Sequence, residues 1–359
     1  MKLNLKSSSL RITTLAAGIT LASSAVAGDA INIVSWGGAW SASVKGAWTD
    51  PYTEATGQEF NFIDYNGGVA EVRAQVEAGN VTWDIVDMIP SDNVLACDEG
   101  LLEPLDHSRV PDGPNGEPGQ EDWVPNSLIE CGIGGVVWAT IMAYKDTTYP
   151  GDKPTAIADF WNIEKFPGKR GMRKVAEVNL EWALLADGVP KDQVYATLSD
   201  PDGVDRAFAK LDEIKDHVVW WEAGAQAPQL LVDEEVALGT AYNGRIYNAY
   251  KNENQPLSIM WDSQIWDIGH FGVVKGAPNK EAAMDYIFNS YATAESQGRI
   301  TYHIAYGPMR KSASEFNDPE IKGHLPTDHM QNEPLQFDFM FWADHRDELQ
   351  ERFSAWLAL

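Results

Sequence analysis

Ala30-Ile31-Asn32-Ile33-Val34-Ser35, running on into Trp36-Gly37-Gly38-Ala39-Trp40, opens the stretch that decides the fold. Residues 30–35 read as a short strand and Gly37-Gly38 as a tight turn, and Trp40 to Ala55 has helical spacing. Glu59 to Tyr65 (EFNFIDY) alternates as strands do, because successive side chains on a pleated ribbon point to opposite faces. Val69 to Ala78 (VAEVRAQVEA) carries an apolar stripe at the helical repeat. Trp83 to Ile89 (WDIVDMI) is a nearly continuous apolar run of the kind buried in parallel sheets. Strand, helix, strand, helix, strand in that order predicts α/β architecture with a largely parallel sheet.

Working outward, a Pro/Gly-rich loop covers Ser108 to Gln120, and Gly135 to Tyr144 (GVVWATIMAY) reads as a buried strand crossing between two lobes. A second set of elements follows from Thr155 to Ala249. Its helices are expected at Leu180–Ala186, Val204–Ile214 and Ala225–Asp233, and its strands at His217–Trp221 and Ala237–Tyr242. Ile259 to Val274 is read as the return to the first lobe. Lys280 to Tyr291 has helical spacing, and the chain from Pro308 onward is expected to be helical and to pack on lobe two. The expected division is a signal peptide at 1–27, lobe one at 28–138 plus 268–306, and lobe two at 139–267 plus 307–359. Lobes joined by more than one crossing strand can close on a ligand as a hinge does.

Residues 1–27 have the three parts of an export signal. Lys2, Lys6 and Arg11 form a basic start, Leu15 to Leu21 a short apolar run, and Ala25-Val26-Ala27 a cleavage site. The apolar run is too short to span a bilayer, and no later stretch approaches ~20 apolar residues. A soluble periplasmic protein beginning at Gly28 is expected. The 359 residues carry 27 basic and 53 acidic side chains, a net charge of −26, and the signal adds basic residues but no acidic ones. Such a surface repels phosphate backbones and anionic lipid, which argues against nucleic-acid and membrane-surface partners. It concentrates small cations, although acidity also serves simply to keep an exported protein soluble. Cys97 and Cys131 are the only cysteines, and in an oxidising compartment they are expected to form one disulfide. The 14 tryptophans exceed what two cores need, so some are expected to line a cleft.

Catalytic signatures are scarce. HExxH, CxxC, GxSxG and GxxxxGK[ST] are all missing, and the closest histidines, His324 and His329, fall in a Pro-bearing stretch rather than on a clear helix. No metal, cofactor or enzymatic activity is expected.

The chain resembles the periplasmic solute-binding proteins of ABC importers, and within them the spermidine/putrescine-binding branch. The resemblance covers essentially everything after the signal. Its landmarks are Ser35-Trp36-Gly37-Gly38-Ala39-Trp40, Trp83-Asp84-Ile85-Val86-Asp87, residues 97–105 (CDEGLLEPL) and Gly224-Ala225-Gln226. Ala241-Tyr242-Asn243-Gly244-Arg245, residues 275–280 (KGAPNK) and Ala305-Tyr306-Gly307-Pro308 complete the series. It implies a two-lobed type II periplasmic-binding fold and a monomeric receptor that hands its ligand to a membrane permease. The implied ligand is a polyamine (putrescine or spermidine) or a related cationic amine. Aromatic rings would sandwich its methylene chain while carboxylates hold the ammonium ends.

On that resemblance the candidate contacts are Trp36, Trp40, Asp87, Glu177, Trp221, Gln226, Tyr242, Asp267 and Tyr306, with Glu181 the register alternative to Glu177. Asp87 ends a buried strand, where ligands of open α/β sheets bind. Each ring competes with a role in a core, and each acid with a helix cap. One departure matters. Counting back from Phe271-Gly272-Val273-Val274, the branch's decisive aspartate falls nearest Gly269, not Asp267. Arg245 is free to meet a carboxylate instead, so the alternative ligand is a zwitterionic, amino-acid-like solute or carboxylate held by Arg245. A secreted enzyme is the third reading.

Overall fold

The computed structural model describes residues 29–359; the expected signal peptide and its cleavage after Ala27 lie outside the described residues. Eleven strands form one continuous, curled sheet. They are β1 (Ile31–Ser35), β2 (Phe60–Asp64), β3 (Ile85–Met88), β4 (Leu128–Ile129), β5 (Gly132–Lys145) and β6 (Arg170–Arg173). After them come β7 (Val218–Trp221), β8 (Leu238–Tyr242), β9 (Leu257–Val273), β10 (Gly307–Pro308) and β11 (Leu335–Gln336). The order along the sheet is β2-β1-β3-β9-β5-β8-β6-β7, with the short strands appended to β5 and β9.

Parallel pairing among the main strands lies on the flanks, β1 with β2 and β3 and β6 with β7 and β8, and the short β11 adds a parallel pair on β9. The middle is antiparallel, with β9 against β3 and β5, and β5 against β8. The largely parallel sheet expected from the sequence is therefore a mixed one. The long strands β5 and β9 run in opposite directions between the two halves, and an apolar run looks the same whichever way its partner points.

Hydrophobic cores lie on either side of these strands. One is built by Ile31, Ile33, Trp48, Phe271, Phe288 and Tyr291, the other by Phe160, Trp182, Leu211, Trp342 and Phe353. The expected helix over Trp40–Ala55 is a compound one: Gly38–Val44, a π-helical turn at Lys45–Thr49, then Asp50–Thr56. The C-terminal region is less helical than expected, since 3-10 turns precede β11 and only Phe339–Leu357 forms a long helix. Cys97 and Cys131 are bonded, which ties the helix Pro90–Asp98 to the start of β5. Among the described residues no helix is long and apolar enough to cross a membrane.

Candidate functional site

Period-two alternation turns one face of the crossing strands into a wall. Val136, Trp138 and Thr140 of β5, Thr240 and Tyr242 of β8, and Asp267 and Gly269 of β9 all line cavities between the lobes. Asp87 reaches the same wall from the end of β3. The first cavity is bounded by Trp36, Trp40, Asp87, Trp138, Arg245 and Tyr306, among others.

The segment Tyr242-Asn243-Gly244-Arg245 builds one side of it, and each residue has a separate task. Tyr242 ends β8 and sets its ring edge-on to Trp138 at 5.3 Å and to Trp221 at 5.8 Å. Asn243, fully buried, accepts from the Ala139 amide at 3.0 Å and donates to the Ala305 carbonyl at 2.6 Å, which fixes the start of the helix Asn243–Asn252. At Gly244 a side chain would collide with the Tyr306 ring, its Cβ coming within 2.5 Å. Arg245 then lines the cavity at 3% exposure. Its Nη2 donates to the Trp36 carbonyl at 2.9 Å, whereas Nε and Nη1 are buried without a hydrogen-bond partner. The tight turn before the first helix serves this guanidinium. Gly38 has φ 56°, and a Cβ there would stand 2.8 Å from Arg245 Nη1. Glycine is needed twice over, for the left-handed backbone and for the close approach.

Opposite charge comes from Asp87, which is 2% exposed. Its Oδ2 accepts from Ser35 Oγ at 2.7 Å and Trp40 Nε1 at 2.5 Å, while the Tyr65 hydroxyl donates to its backbone carbonyl. Burial pushes this carboxyl up to about 7, against the pull of the Trp40 and Ser35 donors and of the Arg245 charge. Oδ1 faces Gly269: a Cβ built on that glycine would lie 3.8 Å from it. Asp87 thus stands beside Gly269, the position at which the resemblance to the polyamine-binding branch implies an aspartate on the crossing strand. Around the two charges stand Trp36, Trp40, Trp138, Tyr242 and Tyr306, with Trp40 and Tyr306 at 5.4 Å from each other.

The profile of the bacterial extracellular solute-binding protein family matches residues 47–327. The gamma-aminobutyric acid-binding protein of Pseudomonas aeruginosa is 41% identical over 344 residues, 95% of each chain. The chain belongs to this solute-binding family. Among solved structures it is similar to the periplasmic binding protein MotA from A. tumefaciens B6 in complex with glucopine, with TM-score 0.83 and 31% identity over 91% of this chain and 99% of that one. It is also similar to the Atu4243 GABA receptor, with TM-score 0.78 and 32% identity over 92% of this chain and 98% of that one. It is a two-lobed, non-enzymatic solute receptor of the ABC-importer type.

In this receptor the expected contacts divide into three groups. Trp36, Trp40, Asp87, Tyr242 and Tyr306 come together around the first cavity. Asp267 and Glu177 line an adjoining recess, where Glu177 is ion-paired with Arg346 at 2.6 Å. Arg346 of the C-terminal helix also binds Asp92, so one guanidinium is shared between the two acids. Glu181 is fully buried, accepts from Trp342 Nε1 at 2.6 Å and is raised to about 7 by burial. Trp221 and Gln226 stand apart from both cavities. Trp221 is 2% exposed and backs Tyr242 from behind, and the Gln226 carboxamide accepts from the Glu222 and Ala223 amides, each at 2.8 Å, closing an exposed turn. Sequence reasoning passed over Trp138 and Arg173, which line both cavities. Position two residues from Val136 on β5 marks Trp138; nothing local marks Arg173.

Proposed function

We propose that this protein is the extracytoplasmic receptor for a zwitterionic ω-amino acid of the γ-aminobutyrate class and delivers it to the permease of an ABC importer. The observation that carries the reading is Arg245. A buried guanidinium with two unpartnered nitrogens is costly unless something arrives to bind it, and a carboxylate is the group whose geometry and charge fit best. Asp87 supplies the counterpart for an ammonium group, and the rings cover the methylenes between. The names of two relatives point the same way, since one is a gamma-aminobutyric acid-binding protein and another a GABA receptor. A polyamine fits less well: one of its ammonium ends would lie against Arg245, and Glu177 is already ion-paired with Arg346. In this reading residues 28–138 plus 268–306 form one lobe and 139–267 plus 307–359 the other, and a monomer closes over its ligand in the periplasm.

Titration calorimetry against γ-aminobutyrate, putrescine and spermidine tests it. Heat with γ-aminobutyrate and none with either polyamine is expected. Tighter binding of a polyamine overturns the reading.

A further inference from the structure

Resting on that reading, we infer that the cleft has a second amine station at Asp267, which admits ω-amino acids with carbon chains well beyond that of γ-aminobutyrate. The first cavity does not end at its ring box. Trp138, Tyr242, Ile89 and Arg173 form a neck shared with a second recess. Asp267 lies on that recess, 2% exposed. Its Oδ1 accepts from the Ile268 amide at 2.8 Å, whereas Oδ2 is buried with no hydrogen-bond partner. No cation among the described residues is paired with it, in contrast to Glu177, which is ion-paired with Arg346 in the same recess. An unpaired buried acceptor on a cavity wall invites a donor from outside the chain. Burial raises this carboxyl well above its ordinary range, so an ammonium arriving there would displace its proton.

The spacing sets the ligand length. Asp267 and Gly269 are two residues apart on β9, and Asp87 Oδ1 faces Gly269. Positions two apart on one strand face are separated by about 6–7 Å, the reach of roughly four or five methylene groups. With the ligand carboxylate on Arg245, a short acid ends at Asp87, and one longer by that amount passes the neck and ends at Asp267. The neck is apolar on the Trp138 and Ile89 sides, which suits a methylene chain.

The test is a chain-length series on the full protein by calorimetry: γ-aminobutyrate, 6-aminohexanoate and 8-aminooctanoate. Affinity is expected to fall at 6-aminohexanoate, whose amine stops in the neck, and to recover at least tenfold at 8-aminooctanoate. Asp267→Asn is expected to weaken 8-aminooctanoate at least ten times more than it weakens γ-aminobutyrate. Binding of γ-aminobutyrate with a steady loss along the series overturns the second station and leaves the short-acid reading intact. An equal loss of both acids in Asp267→Asn also overturns it. If no ω-amino acid binds, the reading of the first cavity fails, and this inference fails with it. Should Asp267→Asn not fold, the series on the unaltered protein still decides.

Discussion

Two buried arginines show what separates a structural cation from one that awaits a ligand. Arg170, wholly buried on β6, donates from Nε to Phe160 at 2.6 Å, from Nη1 to Gly168 at 2.8 Å and from Nη2 to Phe166 at 2.7 Å, all three to backbone carbonyls. Arg245 is buried almost as deeply and donates from one nitrogen only. Both lie near an aromatic ring, Phe160 at 5.6 Å and Tyr242 at 6.0 Å, so neither burial nor ring contact tells them apart. Unspent hydrogen-bonding capacity does. Arg170 clamps the turn at residues 160–168, while Arg245 faces a cavity that also holds an acid and five rings.

Exchanging each for an apolar side chain gives the largest effects and in opposite currencies. Arg170→Met leaves three buried carbonyls without donors and should cost at least about 3 kcal/mol of stability, read in urea unfolding. Arg245→Met removes an underpaired buried charge. Its unfolding midpoint should hold or rise, while affinity for γ-aminobutyrate falls more than about a hundredfold, as loss of a charge-assisted bidentate contact implies. If Arg245→Met unfolds the protein and Arg170→Met does not, the comparison is inverted.

The disulfide provides a control that is large in stability and silent in binding. Cys97 and Cys131 are 34 residues apart, and closing such a loop is worth about 3–4 kcal/mol in the chain-entropy account. Cys97→Ser with Cys131→Ser should lower stability by that order and leave ligand affinity within about twofold, because neither residue lines the first cavity. A matching loss of affinity would mean that this part of lobe one sets the cleft geometry after all.

Asp87 adds a pH test. Its carboxyl in the free protein is raised to about 7, and a ligand ammonium beside it favours the ionised form. Above that value the group is already charged and affinity should be flat. Below it, binding must displace a proton, so affinity should fall by up to about tenfold per pH unit. Asp87→Asn should bind about ten- to a hundredfold more weakly at pH 8 and lose the slope. A slope that persists in Asp87→Asn would assign the titration elsewhere.

How much of this was legible in the sequence depends on how far each cause lies along the chain. Trp36-Gly37-Gly38 and Tyr242 to Arg245 were readable because turn, ring and cation are consecutive there. The direction of β5 was not, since Val137 and Ala139 are as apolar as the cavity face and give no alternation to follow. Glu177 read as an anchor because Arg346, its partner, is remote in sequence. Arg173 gave no local sign, and its Nη2 reaches the Asn66 carbonyl across 107 positions. Register was the subtlest matter. The decisive acid was sought on β9 at Asp267 or Gly269, whereas the acid facing Gly269 comes from β3.

Trp221 offers the finest test of the distinction between lining the cleft and supporting it. Its ring lies edge-on to Tyr242 at 5.8 Å, and its buried Nε1 has no hydrogen-bond partner. Trp221→Phe therefore breaks no polar contact and keeps an aromatic edge behind Tyr242, at the expense of some packing. Stability should fall by about 1–2 kcal/mol. Affinity for γ-aminobutyrate should change only about two- to fivefold, in step with an edge-to-face contact worth roughly 0.5–1 kcal/mol. Tyr242→Phe, which leaves the ring and removes the hydroxyl, separates the two roles. If Trp221→Phe weakens binding as much as Tyr242→Ala does, then the indole acts on the ligand itself and belongs with Arg245 rather than with Arg170.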